Sequence, residues 1–98
     1  MGLSLVLATA IATAPITQAQ SGRTYRVSKG GELTLRLSER WSWTEPRASG
    51  RGIELTPVEY FRDPGYLEWR IDAVARGMFT IRALGSPARR FVVTIRVV

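Results

Sequence analysis

Neither cysteine nor histidine occurs among the 98 residues. The two absences exclude disulfides, thiol nucleophiles, Ser-His-Asp triads, structural zinc and His-ligated catalytic metals. They also exclude the lipidated cysteine of a bacterial lipid anchor. Lysine is nearly missing as well: Lys29 stands alone beside thirteen arginines. No side chain among the first twenty residues is charged, so the whole formal charge of +6 belongs to the later segment. Basic runs, internal repeats and low-complexity tracts are absent too, and with the arginines spread along the chain no nucleic-acid partner is expected. What remains is a chemistry of binding. An arginine-rich surface suits carboxylate, phosphate or sulfate groups, because the guanidinium offers a rigid fork of donors, and a partner of acidic character fits it. The plainer reading is a solvated surface in which arginine stands where lysine commonly does.

The stretch from Met1 to Ala14 is apolar and uncharged, and Pro15 and Thr17-Gln18-Ala19 follow it. That order matches the apolar region, turn and small-x-small cleavage site of a secretory signal peptide, with cleavage after Ala19 and a domain over residues 20–98. The positive segment that usually precedes the apolar region is missing. The run is too short and too rich in threonine for a comfortable membrane span, so no stable span is expected after cleavage, and the location is expected to be secreted or periplasmic.

From Tyr25 onward the dominant period is two, with turn residues every eight to twelve positions. Leu33, Leu35 and Leu37 alternate with Thr34 and Arg36, and Leu67, Trp69, Ile71 and Ala73 alternate with Glu68, Arg70 and Asp72. Phe91, Val93, Ile95 and Val97 close the chain in the same way, joined to the strand from Phe79 by a hairpin at Gly85-Ser86-Pro87. Ile53 and Leu55 belong to a weaker strand, which Pro57 marks as an edge. The pattern predicts an all-β, immunoglobulin-like sandwich of six to seven short antiparallel strands, preceded by a signal-peptide helix.

Residues 38–51 form the longest stretch without alternation and the best candidate for a binding loop. Within it Trp41 and Trp43 lie two apart on an extended segment beside Arg40, a pair suited to a protein pocket or a sugar ring. Trp69, and more weakly Trp43, fit the core, which leaves Trp41 as the exposed member. Arg70, Arg82 and Arg96 share outward parity and form a basic stripe if their strands lie in one sheet. If residues 66–73 and 78–84 lie in opposite sheets, the stripe splits. The carboxylates Glu54/Glu59 and Glu68/Asp72 read as surface groups; the latter pair, four residues apart on a strand, lies ~13 Å apart, too far for glycosidase-type chemistry. No catalytic residue, metal site or cofactor is indicated, and a non-enzymatic module contacting a protein or glycan through residues 38–51 is the primary expectation.

The run from Trp69 to Ile81, with Gly77 at its corner, and the closing Phe91-Val-Val-Thr-Ile-Arg-Val97 resemble the last strands of bacterial immunoglobulin-like domains. Within that superfamily, the order Gly31 to Leu37, a Trp loop, Gly65 to Ile71 and Gly77-x-Phe79 resembles chagasin-type inhibitors of papain-like cysteine peptidases. The resemblance implies three loops presented to a peptidase cleft. Where the family carries Asn-Pro-Thr-Thr-Gly-Tyr and then Trp, this chain reads Ser38 to Trp43, with Trp43 the matching residue. Asp63-Pro64-Gly65-Tyr66 corresponds to the second loop. Gly85-Ser86-Pro87-Ala88 stands where the third carries Arg-Pro-aromatic. The resemblance therefore implies an alternative, a divergent peptidase inhibitor contacting its target through Trp41, Trp43, Gly65, Tyr66 and Pro87.

Overall fold

A computed structural model describes residues 14–98, which form nine strands: β1 (Ile16–Thr17), β2 (Thr24–Val27), β3 (Glu32–Ser38), β4 (Ser42–Trp43), β5 (Arg47–Ala48), β6 (Ile53–Val58), β7 (Tyr66–Ala73), β8 (Gly77–Ser86) and β9 (Arg89–Val97). One sheet has the order β1-β3-β7-β6; the other has β2-β9-β8-β4, with β5 also paired to β8. The alternation predicts six to seven antiparallel strands. The additional ones are two-residue segments, too short to display a period, and β1 and β2 pair in parallel with β3 and β9. Most of the expected signal-peptide helix lies outside the described residues.

The long strands form where inward positions are occupied by Leu, Ile, Val, Phe and Trp, side chains that fill a pleated face. Leu35, Leu37, Ile71, Ile81, Phe91, Val93 and Ile95 are almost wholly shielded from water. Each such burial contributes about 1.5–3 kcal/mol. Register carries the pattern across the first sheet, where Leu33 faces Ile71, Leu35 faces Trp69 and Leu37 faces Leu67. Trp69 lies in the core, as its parity predicts. Leu67 has inward parity yet is 39% exposed, because it lies at the open end of the sandwich. Pro57 falls on β6, an edge strand that pairs only with β7 within its sheet, so its missing N–H leaves no ladder partner deprived.

Glycine is demanded where aromatic rings lie flat on backbone. A Cβ on Gly52 would meet the Phe79 ring at 1.8 Å, and one on Gly85 would meet the Trp43 ring at 3.0 Å. These rings replace the side chains that the glycines lack.

The core reaches N-terminally past the expected cleavage point. Ile16 is 1% exposed and pairs with Leu35. Thr17 and Gln20 form a reciprocal capping box around the short 3-10 turn Gln18–Gln20. Gln18 Oε1 accepts from the Ser38 N–H at 2.9 Å. A leader ending at Ala19 would take Ile16 and these bonds with it.

The basic stripe splits: Arg70 belongs to β7, whereas Arg82 and Arg96 belong to β8 and β9 of the opposite sheet. Arg70 is paired instead with Asp72 at 3.0 Å.

Candidate functional site

Three connections meet at one end of the sandwich: residues 39–41 after β3, 59–65 before β7, and the 87–88 tip between β8 and β9. Strand register brings them together. Ser38 at the end of β3 pairs with Tyr66 at the start of β7, and Ser42 pairs with Ser86. The first two connections are joined directly, with the Glu39 N–H donating to the Gly65 carbonyl at 3.0 Å.

The first connection and the hairpin tip form one unit. Trp43 Nε1 donates to the Ser38 carbonyl at 2.8 Å, and its half-buried ring packs against Gly85 and the core. Trp41 lies with its ring centroid 6.0 Å from that of Trp43, tilted by 56°. The Arg89 guanidinium sits 4.9 Å from the Trp41 ring centroid while Nη2 donates to the Gln18 carbonyl, so the N-terminal segment buttresses this corner. A shallow groove at this corner is lined by Glu39, Arg40, Trp41, Ser42, Trp43, Leu67 and Ser86.

The 59–65 connection is anchored at its base. Glu68 Oε1 accepts from the Arg36 Nε–H at 2.7 Å and from the Tyr60 hydroxyl at 2.6 Å. Tyr66 meets Tyr60 edge to face at 5.9 Å, with the Arg36 guanidinium 4.7 Å from its ring centroid. Gly65 adopts φ +85°, a left-handed conformation natural to glycine, and donates its N–H to Asp63 Oδ1 at 2.8 Å. Above this base Phe61 is 110% exposed, an aromatic side chain held entirely in water.

The carboxyl groups of Glu39 and Asp63, one from each connection, influence each other: sharing a proton between them raises Glu39 above its ordinary value and lowers Asp63, which the Gly65 N–H lowers further. Hydrogen bonding to Glu68 pushes the Tyr60 hydroxyl up to about 12. Partial burial pushes the Glu68 carboxyl up, but Tyr60 and Arg36 together hold it below its ordinary value. A lowered carboxylate contributes stability above its unfolded pKa of roughly 4.3 and loses it as pH falls through the folded value. Glu68→Gln is therefore expected to lower the melting temperature at pH 7 and to lessen the stability lost on acidification below pH 5. Thermal melts across that range check it, and parallel curves for the two proteins would refute the assignment.

All six residues singled out from the sequence lie at this end. Arg40, Gly65 and Pro87 are exposed, Trp41 and Tyr66 half-exposed, and Trp43 supports the others from the core side. Residues 38–51 are not one loop, however. β4 and β5 pair with β8, and the Thr44 and Ser49 hydroxyls accept from the Leu84 and Thr80 N–H groups, so only residues up to Trp43 reach the site. Sequence reasoning missed Phe61 and Arg89. The signal for Phe61 was present: it follows the last alternating residue, Val58, and precedes the Asp63-Pro64-Gly65 turn, which places an aromatic in a connection with no core face.

No protein-family model matches the sequence, and no curated protein matches it. Among solved structures, the cysteine protease inhibitor EhICP2 from Entamoeba histolytica superposes with a TM-score of 0.66 over 85% of this chain and 92% of that one, at 15% identity. Amebosin, solved in solution, superposes with a TM-score of 0.53 over 86% of this chain and 96% of that one, at 13% identity. Identities this low establish the fold alone. The chain is an immunoglobulin-like β-sandwich of the same fold as the cysteine protease inhibitor EhICP2.

Proposed function

We propose that this chain inhibits papain-type cysteine peptidases by seating the three-connection end in the peptidase cleft. The observation that carries the reading is the convergence of Trp41, Phe61 and Pro87, from three separate connections, at one end of a sandwich shared with a cysteine protease inhibitor. Trp41 and Phe61 supply large apolar area at small rotamer cost, and Arg40 and Ser86 line the groove beside Trp41 as polar contacts. The wedge acts by occupying the cleft, a role that asks for no nucleophile, cofactor or metal of its own. The partner is therefore a protein. A glycan-stacking role is less favoured, because Arg89 already covers one face of the Trp41 indole. A generic module working through residues 38–51 is less favoured too, because most of that segment closes the edge of a sheet.

Titration of papain with the full chain tests the reading: tight, saturable inhibition is expected, and no inhibition at micromolar concentration overturns it. The uncharged apolar N-terminus supports export to a secreted or periplasmic location. The mass of the chain recovered from the producing cell's envelope and medium tests this. Recovery solely from the cytoplasm, at full length, overturns it.

A further inference from the structure

The outward faces of the two sheets differ in charge. On the β1-β3-β7-β6 sheet, acidic residues meet in one row of the register, Glu32 beside Asp72 beside Glu54, and the arginines are paired, Arg36 with Glu68 and Arg70 with Asp72. None of the strands β2, β4, β5, β8 and β9 contains an acidic residue. Their outward positions instead place arginine beside arginine: Arg26 pairs with Arg96, and Arg47 pairs with Arg82. Arg90 lies on the same face beside Leu84. Like charges directly opposite each other weaken a sheet, and among the described residues none of these five arginines has a carboxylate partner. Glu45, in the connection between β4 and β5, lines the same groove as Arg47, Arg82 and Leu84 and is the one acidic side chain there. A row of threonines, Thr24, Thr94 and Thr80, crosses the middle of the face.

Three side chains on this face are apolar: Val92, half-buried and facing Arg82, and two that are exposed. Met78 is 64% exposed and lies in the row of Arg26 and Arg96; Leu84 is 57% exposed and lies beside Arg90. They are six residues apart on β8, roughly 20 Å, with the threonine row and the Arg47–Arg82 pair between them. We infer that this face is a peripheral docking surface for an anionic lipid bilayer. Lipid phosphates satisfy the guanidinium forks bidentately, and the interfacial layer between headgroup and acyl chain takes up Met78 and Leu84. A soluble sulfated chain would answer the arginines and leave both exposed apolar side chains in water. The three-connection end lies at the strand termini, where Leu84 and Arg90 adjoin its 87–88 tip, but the charge and exposure of the face do not depend on peptidase inhibition.

Co-sedimentation of the full chain with vesicles of phosphatidylcholine, alone or mixed with phosphatidylglycerol, tests the inference. Partitioning is expected to be at least about tenfold stronger on the mixed vesicles and to fall as salt is raised. The double variant Arg82→Gln/Arg96→Gln is expected to lose about tenfold or more, and Met78→Ser to weaken binding further at high salt. Equal partitioning onto both vesicle types overturns the inference, even if a variant fails to fold. So does retention on immobilised heparin without vesicle binding, which would assign the face to a sulfated polymer. Capture of an acidic protein without vesicle binding would likewise overturn it.

Discussion

A chain that begins at Gln20 is expected to melt at least about 10 °C below one that retains residues 14–19, since a buried Ile lost from a core costs about 2–5 kcal/mol and each kcal/mol is worth about 4–8 °C in a domain this small. Ile16 is one of the most completely buried side chains of the core, and it enters through a parallel pairing with β3 that leaves with it. The same truncation strips the Ser38 N–H of its Gln18 acceptor and Arg89 of the Gln18 carbonyl. Those bonds hold the base of the first connection and the guanidinium over Trp41, so the shortened chain should also lose affinity for its partner. Differential scanning calorimetry of the two lengths decides the matter. Coincident melts would show that β1 adds nothing to the folded state and that processing after Ala19 is structurally neutral. A large difference would place any processing site upstream of Ile16.

Phe61→Ala is expected to raise the inhibition constant for papain by about 30-fold or more, the cost of a lost aromatic hot spot of about 2 kcal/mol or above. Its melting temperature should barely move, since a substitution of a side chain with no native contacts stays within about 0.5 kcal/mol. Trp41→Ala should weaken inhibition comparably, with a modest fall in melting temperature because the Arg89 guanidinium and the Trp43 ring lose their neighbour. The contrast separates contact from support. Trp43→Ala should act mainly on stability, since that ring covers Gly85 and packs on the core. Unchanged inhibition by both Phe61→Ala and Trp41→Ala would detach this end of the molecule from the peptidase altogether.

The docking face and the wedge were legible to different degrees. Trp41, Arg40, Gly65, Tyr66 and Pro87 were visible because each lies where alternation stops, in turn chemistry or beside an unplaced aromatic. Phe61 carried the same signal and was passed over for the more conspicuous Trp pair. The arginine face was half visible: outward parity on one strand can be read directly, but it does not say which strands are neighbours. Arg70, Arg82 and Arg96 look equivalent along the chain, yet Arg70 is paired with Asp72 on one sheet while the other two stand beside arginines on the opposite one.

The amino-acid order by itself determined the strands of β3, β7, β8 and β9, their inward faces, the edge status of the Pro57 segment and the exclusion of thiol and imidazole chemistry. Each follows from residue identity or from a period of two, which are properties of adjacent positions. Only the tertiary structure decided that Ile16 belongs to the core, that residues 42–48 clasp β8 instead of forming a free loop, and that three connections share one end. Those outcomes rest on pairings such as Ile16 with Leu35 and Arg47 with Arg82, between residues far apart in the chain. Two-residue strands bury too little to leave a local trace, and their place is set by the backbone hydrogen bonds that a neighbouring edge has left open.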